Sequence, residues 1–353
     1  MHARHLLIPL AVLSFGCKAI ISGKGGIDDA DTGPQIGGPD RRPGDTGDTG
    51  DSGDSGDSGD SGEPPIEYDC DALPDELTEI RDVPGARGYH GLAFDNEDRI
   101  VGWDARNAIV AATYDGDSQV FVPGMDGVEQ MVRDEAGNIY FISSWEGAVY
   151  KIYPSGGTEL VAAGFDYYYP YGLFWGPDGH LYVVDGRVVR LNMDTLEVTE
   201  LLVPPNERWI AHAANFSLDS KTLYVATVGD GDVLQMPVDE DLNPAGDYET
   251  LANIPGGWQD TVGVDACGNI YVAEYYTGSL FRVTPDGDST RVLQGRERDY
   301  GHAVVWGSGS GEWRPDAIYM PKPYDNSSVK EVVVGVPDGS YVRTWNGEPV
   351  VRR

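Results

Sequence analysis

At 353 residues, with 40% hydrophobic side chains, the chain exceeds the usual single domain but has a length that propellers and barrels reach as one unit. Its formal net charge of -33 at pH 7 excludes a nucleic-acid partner, because a polyanion would be repelled rather than neutralised. The same charge excludes docking on anionic lipid headgroups, and most of it reads as a solvated surface.

The chain opens on "MHARHLLIPLAVLSFGCKA". Arg4 gives a basic start, and Leu6 to Phe15 form an apolar run too short to span a bilayer. The run ends at Gly16-Cys17 and resembles a bacterial lipoprotein signal (residues 1–17), in which the cysteine is lipidated after cleavage. The alternative is an ordinary secretory signal. Both lead to export, to the outer membrane, periplasm or cell surface of a bacterium, with the membrane met only through the N-terminal lipid.

Residues 18–66 read as a disordered acidic linker. Within them, 45–62 is "DTGDTGDSGDSGDSGDSG", which has no apolar side chain with which to offset its ordering entropy, and whose like charges keep it extended. With Cys17 lipidated, Cys70 and Cys267 remain in an oxidising compartment. They are expected to form a disulfide between the start of the folded domain and a later hairpin, the alternative being two buried thiols.

From residue 67 to 353 the expected fold is all-β. One pattern recurs after residue 85: a strand, a turn, then a strand with a strongly apolar core. The second strands are "IVGW" (100–103), "IYFI" (139–142), "LYVV" (181–184), "LYVA" (223–226), "IYVA" (270–273) and "AIYM" (317–320). "DEAGN", "GPDGH", "LDSKT" and "DACGN" precede four of them and carry hairpin chemistry. Third and fourth strands follow, the last fourth strand being read in "YVRTW" (341–345). Six four-stranded antiparallel units at a period near 42 residues indicate a six-bladed β-propeller.

Stepping back five residues from the turn after each first strand gives one equivalent position per blade: His90, Glu129, Tyr171, His212, Asp260 and His302. The first strand of a propeller blade lies innermost, so these six residues are expected to ring one mouth of the central channel. Residues two and four further on are mostly apolar, as strand alternation requires, with Arg133 and Ala214 as exceptions. Of the six histidines in the chain, three fall on ring positions.

The blade motif, as in "DTVGVDACGNIYVAEYYTGSLFRV" (260–283), resembles the gluconolactonase/senescence-marker-protein family and the related NHL-repeat propellers, over residues 77 to 345. That resemblance implies one divalent metal in the channel mouth, held by a Glu, an Asn and an Asp. Asp260 matches the family's aspartate and His212 falls at its asparagine. His90 stands at its first-blade glutamate, while Glu129 sits one blade later. The histidines also resemble the peptidyl-hydroxyglycine amidating lyase, a six-bladed propeller with zinc on three histidines and a catalytic tyrosine and arginine. His90, His212, His302 and Tyr171 correspond, with Arg87 at the arginine.

His90, His212, Asp260 and His302 lie on consecutive blades and offer the donor types that suit zinc, with calcium or another divalent ion as alternatives. Such an ion would polarise a carbonyl or acidify a water. Glu129 and Tyr171, on the opposite arc, are the candidates for proton transfer. Arg87, Trp145, Tyr167, Tyr168, Tyr169 and Tyr275 are candidates to wall in a small organic substrate. Three functions follow: a metal-dependent hydrolase of a small lactone or ester, a metal-dependent lyase, or a non-catalytic propeller binding a glycan, peptide or protein. The expected state is a monomer.

Overall fold

The computed structural model describes residues 67–350 apart from 167–169, 204–209, 297–299 and 326. The signal, Cys17, the acidic linker and Tyr167 to Tyr169 lie outside these residues. Among the described residues the chain is almost entirely β, with no helix long and apolar enough to cross a membrane.

Six four-stranded antiparallel sheets form the blades of a propeller. Blade one comprises Leu92–Phe94, Ile100–Trp103, Ala108–Ala112 and Ser118–Pro123. Blade two comprises Val128–Arg133, Ile139–Ser143, Ala148–Ile152 and Thr158–Ala163. Blade three is Gly172–Trp175, Leu181–Val184, Val188–Leu191 and Val198–Leu202, and blade four Ile210–Phe216, Thr222–Val228, Asp232–Pro237 and Glu249–Asn253. Blade five is Gly263–Val264, Ile270–Glu274, Ser279–Val283 and Ser289–Leu293.

The sixth blade departs from the sequence reading. Its inner strands are Val305–Trp306, Ala317–Lys322 and Ser328–Val333, but its outer strand is the N-terminal Ile80–Asp82, with Ile80 opposite Val332 and Asp82 opposite Lys330. The stretch 341–345 is not that strand. It runs from a short 3-10 turn (Gly339–Tyr341) into a separate hairpin of Thr344–Trp345 with Glu348–Pro349. Closing the ring with strands from both chain ends makes the last blade depend on long-range pairing, which a repeat read in chain order does not reveal.

The hairpin turns explain the regular spacing. Asp95 Oδ1 accepts the Glu97 and Arg99 amides, Asp134 Oδ1 the Asn138 amide, and Asp265 Oδ1 the Cys267 and Asn269 amides. Each such aspartate bends the backbone back on itself. Gly137, Gly179 and Gly268 then take the left-handed conformation (φ +83°, +73° and +85°) that a side chain would strain.

The second strands are covered on both faces, which is why they read as unbroken apolar runs: every residue of Ile139–Ser143, Leu181–Val184 and Ala317–Lys322 is buried. Six apolar clusters form, each shared by two neighbouring blades. One of them joins Leu92, Phe94 and Ile100 of blade one to Trp313, Ala317 and Tyr319 of blade six, so the ring closes through packing as well as hydrogen bonds. Truncating Ile142, which is wholly buried, would cost about 2–5 kcal/mol.

Cys70 and Cys267 form a disulfide, with α-carbons 5.6 Å apart. It fastens the segment before the N-terminal strand to the hairpin turn of blade five.

Candidate metal centre

The six ring residues enter from the starts of the inner strands, where the backbone is irregular. The pairing of Val128–Arg133 slips between Val128 and Met131, and that of Ile210–Phe216 between Ala211 and Ala213. Glu129 and His212 therefore sit at bulges, which turn a side chain out of the strand's alternation. Asp260 precedes its strand and is fixed by its own amide, which donates to Ala273 O at 2.9 Å. His90, Glu129, His212, Asp260 and His302 are all buried.

Asp260 is the hub. His90 Nε2 lies 3.2 Å from Asp260 Oδ1, His212 Nδ1 lies 3.1 Å from the same oxygen, and His302 Nδ1 lies 2.6 Å from Oδ2. His212 Nδ1 also meets the Asp260 main-chain oxygen at 2.9 Å. A carbonyl can only accept, so Nδ1 carries the proton and the Nε2 lone pair is left as the His212 donor atom. Burial alone would push the Asp260 carboxyl up, but the imidazoles of His302, His90 and His212 outweigh it and hold Asp260 well below the usual range. Burial lowers His212 to about 4 and also lowers His302, so both rings are neutral near pH 7. For His90 burial acts downward, but the Asp260 charge prevails and the value rises.

These residues fit a divalent metal. Donor atoms of His90, His212 and Asp260 lie within 4.8 Å of one another, and all three side chains are buried. His90 Nδ1, Asp260 Oδ2 and both ring nitrogens of His302 are buried without a hydrogen-bond partner. The short His302–Asp260 approach lacks hydrogen-bond alignment. Buried polar atoms are normally paired, and unpaired ring nitrogens clustered about a buried carboxylate are the kind of donor set a cation satisfies. The compact group is of three residues, and His302 reaches it through Asp260.

Glu129 lies close enough to sense the charges of His90 and Asp260 and accepts a 2.6 Å hydrogen bond from Ser144 Oγ. Burial pushes its carboxyl up. Tyr171 stacks on His212, with ring centroids 4.5 Å apart, and faces His90 at 5.9 Å. The ring is narrow enough that the arc opposite the histidines touches them.

The rim candidates separate. Tyr275 reaches the centre, its ring 5.0 Å from that of His302, whereas Trp145 is 68% exposed and lies over Gly127 beside Glu129. Arg87 donates to Ala86 O and lines a separate groove on blade one with Asp104, Arg106 and Val110. Tyr169 lies outside the described residues. Sequence reasoning missed Tyr89, Trp258 and Tyr324. Tyr89 is 5.7 Å from His302, and Trp258 is 4.9 Å from Tyr275 and 6.4 Å from His212. The Tyr324 hydroxyl meets those of Tyr89 and Tyr275 at 3.4 and 3.2 Å. Burial pushes the Tyr89 and Tyr275 hydroxyls up, so both stay neutral. Tyr89 directly precedes a ring residue and Trp258 stands two before one, a signal available in the repeat.

The fold and centre define a six-bladed propeller with an imidazole–carboxylate cluster at one channel mouth. Residues 185–307 match the family described as the SMP-30/Gluconolactonase/LRE-like region, the resemblance that the blade motif carries. No curated protein sequence matches the chain significantly. Among solved structures, a gluconolactonase from Xanthomonas campestris is 15% identical with a TM-score of 0.61, covering 78% of this chain and 98% of its own. A calcium-binding protein, regucalcin, from Agrobacterium tumefaciens is 16% identical with a TM-score of 0.60, covering 79% and 98%. Virginiamycin B lyase from Staphylococcus aureus is 14% identical with a TM-score of 0.52, covering 72% and 99%. At such identities the likeness establishes the fold.

Proposed function

We propose that the protein is a metal-dependent hydrolase that opens a small lactone or ester at this channel mouth. The observation that carries the reading is the group of buried, converging donor atoms on His90, His212 and Asp260, flanked by His302. The match to the SMP-30/gluconolactonase family and the fold shared with a gluconolactonase and a calcium-binding regucalcin support it. His90, His212, Asp260 and His302 hold the ion, zinc being the choice that neutral imidazoles favour. A divalent ion there supplies Lewis acidity to the substrate carbonyl.

The remaining chemistry belongs to the chain. Glu129, kept in place by Ser144, takes a proton from the attacking water as the new C–O bond forms and returns it to the leaving oxygen as the ring or ester C–O bond breaks. A raised carboxyl pKa suits both halves of that exchange. Tyr171 keeps the His212 ring in position by stacking and is the second proton-transfer group. Tyr275, Trp258 and Tyr89 wall the mouth for a small organic substrate.

A lyase is the second reading. Three imidazoles with a tyrosine stacked on one of them resemble the donor set of the amidating lyase, while the Asp260 carboxylate they surround resembles that of a lactonase. Glu129 or Tyr171 would then abstract a substrate proton with no water consumed. Metal analysis of the purified protein, followed by turnover of a lactone and ester panel in oxygen-18 water, tests both. Hydrolysis places solvent oxygen in the product and elimination does not. A metal-free protein without turnover leaves the glycan- or peptide-binding reading. We further propose that the chain is exported as a monomer, anchored through lipidated Cys17. A Cys17→Ser variant is expected to leave the membrane fraction, and unchanged partitioning overturns the anchor.

A further inference from the structure

Behind the ring, the channel continues as a cavity of about 390 Å³ that runs from His90 and Asp260 to the opposite face. Its far end is lined by Arg133, Trp175, Asn215, Asp338 and Arg343. Arg133 and Asn215 stand four and three residues beyond the ring members Glu129 and His212 on the same inner strands. At roughly 3.3 Å per residue they lie on the order of 10–13 Å deeper.

Arg343 comes from the C-terminal segment, which crosses this face and joins three blades. Trp306 Nε1 donates to Val336 O, the Ala266 amide to Pro337 O and the Thr344 amide to Leu218 O. Arg343 is 7% exposed, and its Nη2 donates to Asn215 Oδ1 and Phe216 O, both at 2.9 Å. Its Nε is buried without a partner, and Arg343 enters no ion pair among the described residues. Asp338 is the acid whose field it senses, but Asp338 Oδ1 accepts the Ser340 amide at 2.6 Å. Arg133, the charged exception in the apolar inner-strand pattern, bonds Asn96 through Nη2 and likewise has a buried Nε without a partner.

We propose that the far end of the channel is a second binding site, for a small organic carboxylate held by Arg343 and Arg133. Arg343 is a buried cation without an acid partner among the described residues, in a chain that carries a surplus of acids. Arg133, also outside every ion pair among those residues, lines the same cavity, so a carboxylate bound there relieves the cost of the buried charge with charge-assisted hydrogen bonds. The walls of Met131, Phe174, Trp175 and Val304 favour an organic anion over an inorganic one. The volume falls at the small end of ligand cavities, which limits the guest to a small acid. This site is independent of the proposed hydrolase reading.

Calorimetric titration of the protein with benzoate tests it, with sulfate as the inorganic comparison, before and after EDTA treatment. The expected result is saturable benzoate binding that survives EDTA and outcompetes sulfate. Arg343→Gln and Arg133→Gln are each expected to weaken it at least about tenfold, the loss of one charge-assisted bond. Arg133→Gln keeps the test decisive if Arg343→Gln, which also removes the bonds to Asn215 and Phe216, does not fold. No binding, binding lost with the metal, binding unchanged in the folded variants, or sulfate preferred to benzoate each overturns the proposal.

Discussion

His302 Nδ1 stands 2.6 Å from Asp260 Oδ2, on the side of the carboxylate away from the oxygen that His90 and His212 approach. One carboxylate thus gathers imidazoles from blades one, four and six, each supplied by a separate repeat of the chain. Since the blade cores are complete without these side chains, His212→Ala is expected to abolish stoichiometric metal while leaving the β fold intact. Elemental analysis and circular dichroism on the same sample check this. Retained metal in that variant would move the binding site elsewhere.

Glu129 gives the pH prediction. Its folded pKa is raised by burial, so the native state binds more protons than the unfolded chain above the ordinary glutamate value of about 4.5. The stability tied to this group is present in full below 4.5 and is lost as pH rises through the folded value. Glu129→Gln removes the buried charge and retains an acceptor for Ser144 Oγ. The variant is therefore expected to melt higher than the parent at pH 8 and about level with it at pH 4, both metal-free, while losing any turnover. Equal melting differences at the two pH values would show that Glu129 carries no buried charge.

Much of this centre was legible in the sequence because a propeller writes its inner strands in register. The offset that marks Asp260 in one blade also marks His90, His212 and His302 in others, and the structure brings them together. What escaped depends on contacts without a period. Ile80–Asp82 completes blade six from the other end of the chain, and no repeat announces a strand of three residues. Arg343 reaches the channel from a segment outside the blades. Tyr324 meets Tyr89 and Tyr275 across 235 and 49 residues of sequence, so only the closed ring makes them neighbours.

The aromatic rim predicts a binding effect separable from chemistry. Tyr275 touches His302 and Trp258 by its ring and Tyr324 by its hydroxyl, yet belongs to none of the donor groups. For any substrate the protein turns over, Tyr275→Ala is expected to raise KM by about 3- to 10-fold, the loss of one aromatic contact, with metal content unchanged. Steady-state kinetics beside metal analysis decide it. A fall in kcat at constant KM would place Tyr275 among the reacting groups instead.

Ring closure predicts how the propeller fails. The outer strand Ile80–Asp82 is held by its pairing to Ser328–Val333, by Arg81 and by the disulfide behind it. Arg81 Nε donates to Glu331 Oε1 at 2.7 Å, its guanidinium lies over the Tyr114 ring, and Glu331 is 4% exposed and also accepts from Tyr319. Arg81→Ala leaves that buried carboxylate without its cation, at a cost of about 1–3 kcal/mol. Cys70→Ser opens a covalent loop of 197 residues and is expected to cost about 2–4 kcal/mol. Both changes free the same strand, so their combined cost should fall short of the sum. Urea melts of the two single variants and the double variant measure the coupling. Strict additivity would mean that the disulfide and the strand stabilise the ring independently, and that closure of blade six does not rest on its N-terminal clasp.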